Sequence, residues 1–236
     1  MRVTVFRDYP EEGFTSMEVY ADNLIGALKE RKLSPEIKEY LPLNSLSKKL
    51  GYLNLKTRFF FRYFIYPIFA LFHQGEINHV IDQTYGHLVY FLNHKKTVVT
   101  VHDLDVLRLK FLEWKTPRDK IIRRAYLFSV SGLRKAAKII AVSSDTKNDL
   151  IRFLKIPPKK IEIIPEGVEP IFKEIKDKNR LIKIRKKYCL PEKFILHVGT
   201  CWANKNIEGI LEVFSELIKN KELGDLFLVK VGSDWT

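Results

Sequence analysis

Along this chain, apolar residues recur either in short continuous runs or at roughly every 3.6 residues, and the two patterns alternate. Val3 to Phe6 is a short apolar run, and Asp8-Tyr-Pro-Glu-Glu-Gly13 is the loop leaving its carboxyl end. Thr15-Ser-Met-Glu18 then fits a capping box, in which the threonine oxygen accepts a backbone N–H and the glutamate reaches back. Met17, Tyr20, Ala21, Leu24 and Leu28 follow along one helical face, and Pro35 to Tyr40 reads as a second strand. The opening is therefore strand, loop, helix, strand, with a helix N-terminus aimed at the crevice above the strands of an α/β layer. A lone Gly13 is no GxGxxG, so a dinucleotide site has little support.

The same grammar continues. Asn54 to Phe72 interleaves Phe59-Phe60-Phe61, Tyr63-Phe64, Tyr66, Phe69 and Phe72 with Lys56, Arg58 and Arg62, and Pro67 interrupts it, so it is too charged and broken to span a bilayer. It reads either as a helix packed on the sheet with snorkelling arginines or as an interfacial helix with its aromatic side among lipid headgroups. Asn78 to Asp82 is a strand, Gln83-Thr-Tyr-Gly-His87 its exit loop, and Leu88 to Leu92 a short helix. Thr97-Val-Val-Thr-Val101 is the strongest strand, a β-branched run suited to a buried parallel sheet, and it ends in His102-Asp103. Polar groups at the carboxyl end of a central strand lie where open α/β sheets bind ligands, which favours His102 over His73 or His94 as a functional group. A structural histidine bonded to Asp103 or the backbone is the alternative.

Thr116 with Pro117 starts a helix that carries Ile121, Ile122, Ala125, Tyr126, Leu133 and Ala136 inward and leaves Lys120, Arg123 and Arg124 as an exposed basic cluster. Lys138 to Val142 is a strand; Ser143-Ser144-Asp145 caps the helix through Leu154, and Pro157-Pro158 breaks that helix. Ile161 to Ile164 is a strand leading to the turn Pro165-Glu-Gly-Val168, where Gly167 is free to adopt positive φ. Lys173 to Lys187 is a basic connecting segment. A new unit begins at Phe194 to Val198, a strand followed by Gly199 and a helix capped by Asn204 or Asn206. Its face is Ile207, Ile210, Leu211, Phe214, Leu217 and Ile218, and Leu226 to Val231 returns as a strand. The helix N-terminus with Lys205 beside it suits an anion, although a lysine on a basic chain can equally be solvated.

Composition narrows the partners. With 41 Lys+Arg against 28 Asp+Glu, a formal charge of +13, the chain favours nucleic acid, an acidic membrane surface or phosphorylated molecules. Nucleic acid is disfavoured, since the basic residues are dispersed and no RRM, KH or zinc pattern is present. Cys189 and Cys201 form neither a CxxC nor a Cys/His ligand spacing, and the amino terminus lacks the apolar core of a signal peptide, which points to a reducing, cytoplasmic setting.

Ala141-Val-Ser-Ser-Asp-Thr146, then Ile156-Pro-Pro-Lys-Lys-Ile-Glu-Ile-Ile-Pro-Glu-Gly-Val168, Val99-Thr-Val-His-Asp103 and Leu196 to Asn206 together resemble the family 4 (GT-B) glycosyltransferases, which use nucleotide-diphosphate sugars and retain anomeric configuration. The turn differs by Glu166 where the family has asparagine, and Asn204 stands where an arginine is usual. The resemblance implies an α/β protein: a Rossmann-like acceptor domain with a mostly parallel sheet over residues 1–172, a linker over 173–193, and the start of a nucleotide-sugar domain over 194–236. His102, with Asp103, would face the donor sugar; Gly13, Thr200 and Lys205 would meet the diphosphate; Gln83, Tyr85, His87, Glu166 and Gly167 would line the acceptor or interdomain side. No metal or cofactor is expected, because lysine and helix dipoles stabilise the charge that develops on the leaving diphosphate. Expected partners are the sugar nucleotide, a glycan or lipid-linked acceptor, an anionic membrane surface at its inner face, and a second polypeptide completing the donor domain, with Leu226 to Val231 otherwise a strand without neighbours. The competing reading is a catalytically silent module that binds acceptor, membrane or partner.

Overall fold

The computed structural model describes residues 1–12, 15–30, 36–41, 55–108, 116–169, 171–201 and 205–232. The chain divides into two compact units, Met1–Glu169 and Pro170–Thr236.

In the first unit the apolar runs become β1 (Arg2–Phe6), β2 (Glu36–Tyr40), β3 (Ile77–Val80), β4 (Thr97–Val101), β5 (Lys138–Ala141) and β6 (Ile161–Ile163). They form one sheet in the order β2-β1-β3-β4-β5-β6, with every neighbouring pair parallel. The expected α/β class and mostly parallel sheet are what the structure shows. Inner strands are buried on both faces: Val3 and Val5 of β1 pack with Ala21 and Ile25 of α1 (Thr15–Glu30), while Phe6 joins Val80, Val99 and Ile139 in the larger core. The edge strands β2 and β6 expose Glu36, Glu39 and Glu162, charges that discourage another strand from pairing there.

Between β2 and β3 runs a helix in three parts: α2 (Leu55–Phe60), a π-helical stretch Phe61–Ile65, and α3 (Tyr66–Phe72). Pro67 lies in the first turn of α3. Its ring would crowd the carbonyl a turn earlier, and the wider π stretch relieves that clash without ending the helix. Arg62 does not snorkel as expected. It is half-buried and turned inward, where Glu12 Oε2 at 2.7 Å and the Thr84 carbonyl at 2.5 Å accept from its guanidinium.

After β3 the expected loop and helix are replaced by one 3₁₀ segment, Gln83–Tyr90. The Asp82 carboxylate accepts from the Thr84 N–H, so the cap sits directly behind β3 and helical turns begin there rather than at Leu88. A short helix α4 (Asp105–Arg108) follows β4, and Thr116 and Asp119 form a reciprocal capping box at the start of α5 (Pro117–Ser131). Ile121 and Ile122 do not point inward: they are 55% and 40% exposed. The helix is pinned at its other end, where Ser129 and Val130 are buried and the backbone crosses the 3₁₀ segment. A Cβ on Gly132 would lie 2.1 Å from the Gly86 carbonyl oxygen, and one on Gly86 would lie 2.6 Å from that of Ser129. Only glycines permit this approach, and the first turns of α5 run on past it into solvent.

Ser143 caps α6 (Ser144–Leu154) as expected, and Lys155 ends it in the left-handed conformation. Gly167 does not use the positive φ open to it.

In the second unit, part of the expected connecting segment is a helix, α7 (Lys178–Lys187), whose first N–H groups are capped by Asp177. β7 (Lys193–Val198), α8 (Ile207–Leu217) and β8 (Leu226–Val231) make the expected β-α-β unit. β8 pairs in parallel with β7 and so has a neighbour. Of the expected α8 face, Ile207 is buried and Ile210, Phe214 and Leu217 are half-buried, while Leu211 and Ile218 are exposed. Two strands are too narrow to cover the flanks of the stripe.

Candidate functional site

The strand order fixes where a ligand crevice forms. From β1 the chain crosses to β2 on one side, and from β3 onward it builds to the other, so the topological switch point lies between β1 and β3. Asp8 stands two residues beyond β1, Asp82 two beyond β3, and His102 directly after β4, which places three ionisable groups at adjacent carboxyl ends.

His102 is tied on every polar atom. Its Nε2 lies 2.9 Å from the Ile81 carbonyl and its Nδ1 2.7 Å from Glu166 Oε1. Both ring nitrogens are thus engaged within the chain. Its backbone N–H donates to Gln83 Oε1 at 2.9 Å, and its carbonyl accepts from Thr146 Oγ1 at 3.0 Å. Tyr20 of α1 packs edge-on against the imidazole, centroids 4.8 Å apart, and its hydroxyl lies 3.1 Å from Thr100 Oγ1. Beneath, His79 Nε2 lies 2.8 Å from the same Thr100 hydroxyl. Burial, and then the nearness of His102, push the His79 pKa down to about 4.

Asp8 is buried, and among the described residues neither of its carboxylate oxygens has a hydrogen-bond partner. Burial raises its pKa well above the usual carboxylate range, with the Asp82 charge adding to the rise and the Arg62 charge opposing it. Arg62 stands 4.1 Å over the Tyr85 ring and ion-pairs with Glu12. A buried, unpartnered carboxyl at a switch point marks a functional-site candidate by physical criteria.

The remaining expected residues divide. Gln83 and Glu166 are bonded to His102, Asp103 is exposed beside it with Oδ1 accepting from the Asp105 N–H, and Gly167 is exposed in the irregular segment after β6. Tyr85 and His87 do not line a surface: both are fully buried, because the 3₁₀ segment turns them into the core. The Tyr85 hydroxyl accepts from the Tyr9 N–H, and His87 lies between Ser129 Oγ and the Arg62 carbonyl. Burial and the Arg62 charge hold the His87 pKa down to about 3. Gly13 and Asn204 lie outside the described residues. In the second unit Thr200 and Lys205 are exposed at the exit of β7, where Asn206, in the left-handed conformation, precedes α8 without a side-chain cap bond. Among the described residues no group of three His, Cys, Asp or Glu side chains is placed to hold a metal ion.

Asp8, Asp82, Arg62, Glu12 and Tyr20 were not singled out from sequence. Asp8 and Asp82 satisfy the positional rule that selected His102, since each follows an apolar run; the Arg62–Glu12 pair, 50 residues apart, has no local signal.

Residues 17–171, which contain β3, β4 and the whole His102 cluster, match the model of Glycosyltransferase Family 4. The chain belongs to Glycosyltransferase Family 4. Curated relatives of this family 4 chain include three Escherichia coli proteins named serotype-specific mannosyltransferase WbdA. Each is 28% identical over 123 residues, and the match covers 52% of this chain but only 14–15% of theirs. The matched part is thus about one seventh of those proteins. Among solved structures, sucrose-phosphate synthase from Thermosynechococcus elongatus superposes with a TM-score of 0.49 at 13% identity, over 99% of this family 4 chain and 71% of that one.

Proposed function

We propose that this family 4 member transfers a sugar from a nucleotide-diphosphate donor to a glycan or lipid-linked acceptor with retention of configuration. The observation that carries the reading is the His102 cluster at the switch end of a parallel sheet, inside the family-matched segment. In the reaction the bond between the sugar C1 and the diphosphate oxygen breaks, and the acceptor oxygen bonds to C1 on the same face. The departing phosphate oxygen takes the acceptor's proton, so no protein nucleophile is required. His102, with Asp103, meets the donor sugar; Gln83 and Glu166 hold it in place, and Gly167 lies toward the acceptor. Tyr85 and His87 support that wall from the core. On the donor side Lys205, Thr200 and Gly13 neutralise and cradle the diphosphate as negative charge develops on it. A second polypeptide completes the donor side, a reading supported by the exposure of Val198 and Val213 in the second unit. The reading includes a cytoplasmic setting, which the spacing of Cys189 and Cys201 suggests.

The competing binding-module reading has one observation in its favour: both His102 nitrogens are already engaged within the chain. Turnover separates the two. With the polypeptide that completes the donor side present, transfer expects release of nucleoside diphosphate from one of a panel of sugar nucleotides and a loss of about 100-fold or more in kcat for His102→Ala. The binding module expects acceptor binding that survives His102→Ala and Lys205→Ala, with no turnover from either protein.

A further inference from the structure

The α2–α3 helix has two unlike sides. Inward it presents Tyr66 and Ala70, fully buried, with the Arg62 charge neutralised by Glu12. Outward, Phe60, Phe64, Ile68 and Phe72 recur every fourth residue and are 51%, 56%, 51% and 79% exposed. The π stretch between α2 and α3 has more residues per turn, so Phe60 and Phe64 stay in line and stack with centroids 5.5 Å apart. Residues 55–72 contain three basic side chains and no acidic one. A row of exposed aromatics of this length is rare on a surface that meets only water.

A second helix extends the surface. Tyr63 touches Phe128 of α5, ring centroids 6.4 Å apart, and its hydroxyl lies 3.2 Å from Ser129 Oγ. Phe128, Arg124 and Ile121 are exposed and lie at helical spacing on one stripe of α5, flanked by exposed Lys120 and Arg123. The apolar stripe of α2–α3 thus adjoins a face of α5 on which apolar and cationic side chains alternate. Among the described residues no helix is long and apolar enough to cross a membrane.

We propose that the outward stripe of α2–α3, with the first turns of α5, is a docking surface for an anionic lipid bilayer. Phe60, Phe64 and Phe72 enter the headgroup region, and Arg123, Arg124 and Lys120 meet acidic headgroups. The occupant follows from charge complementarity: a surface combining protruding aromatics with cations and no anions on α2–α3 matches an interface that is apolar within and negative at its rim. A protein partner or a second copy would have to bury the same cations against acidic side chains.

Co-sedimentation of the full chain with phosphatidylcholine vesicles containing about one third phosphatidylglycerol, against pure phosphatidylcholine, tests this. Binding is expected on the anionic vesicles and is expected to weaken about tenfold or more in Phe60→Ser/Phe64→Ser and in Arg123→Ser/Arg124→Ser. The Phe64→Trp variant keeps the apolar surface, and its added indole emission is expected to shift blue on binding and to be quenched by brominated lipid. Absence of binding by the unaltered chain, equal binding by the serine variants, or an unshifted emission from the Phe64→Trp variant would overturn the proposal. So would a lipid-independent dimer that the serine variants dissociate, which would assign the stripe to a second copy. Vesicle binding needs no sugar nucleotide, so this proposal and the transfer reaction fail independently.

Discussion

Asp8 is held in an environment that opposes its charge. Burial and the Asp82 carboxylate both disfavour ionisation of Asp8, so at neutral pH the folded protein carries a cost that the unfolded chain lacks. A group whose folded pKa is raised destabilises increasingly as pH rises above its unfolded value. Asp8→Asn is therefore expected to raise the melting temperature at pH 7 by several degrees, with the gain shrinking toward pH 4, and it is expected to lower any transfer activity. His79 and His87 act in the opposite direction. Their folded pKa values, about 4 and about 3, lie below the ordinary 6.5. The stability they contribute is full above about pH 6.5 and is lost as pH falls from there toward 4 and 3, a few kcal/mol for each. Urea unfolding at pH 7.5 and pH 5 is expected to show the decline, and His79→Asn is expected to flatten it. His102 was legible because a β-branched strand ends at it. Arg62 was not, because its depth depends on Glu12, brought in by tertiary packing from 50 residues away.

At the scale of elements, the caps at Thr116 and Ser143 were readable, while the one expected at Asn206 makes no side-chain bond and packing depth was not readable. Thr116 and Ser143 were visible as helix starts because capping chemistry is local, and both cap in the structure. Ser143→Ala is expected to cost about 1 kcal/mol in thermal or chemical denaturation. Ile121 and Ile122 looked inward by spacing alone, since periodicity identifies a face without saying how far along the helix the contact extends. The limit is set by the Gly86–Gly132 crossing, where a β-carbon on Gly132 would meet a carbonyl oxygen at 2.1 Å. Gly132→Ala is expected to destabilise by roughly 1–3 kcal/mol, more than a typical surface change, because the obstacle is backbone. The 3₁₀ segment Gln83–Tyr90 escaped the sequence reading for a related reason: Asp82, read as the end of a strand, is also a cap.

At the scale of the molecule, the strands, their parallel sense and the β-α-β restart at β7 could all be read from pattern. The strand order could not, because the sequence does not say on which side of β1 the chain places β3. That order moves the switch point to β1 and β3, adding Asp8 and Asp82 to the site that His102 alone had indicated. The α/β layer then accounts for the location proposed for the chemistry, and the family match supports its class. The measurement that bears most directly on this is nucleoside-diphosphate release from a panel of sugar nucleotides by the protein and by His102→Ala, each together with the polypeptide that completes the donor side, followed side by side in the presence of acceptor. Release by the unaltered protein, with loss of about 100-fold or more in the variant and a product of unchanged anomeric configuration, is the expected result. Equal release by both proteins, an inverted product, or no release from any donor would contradict a transfer centre built on His102.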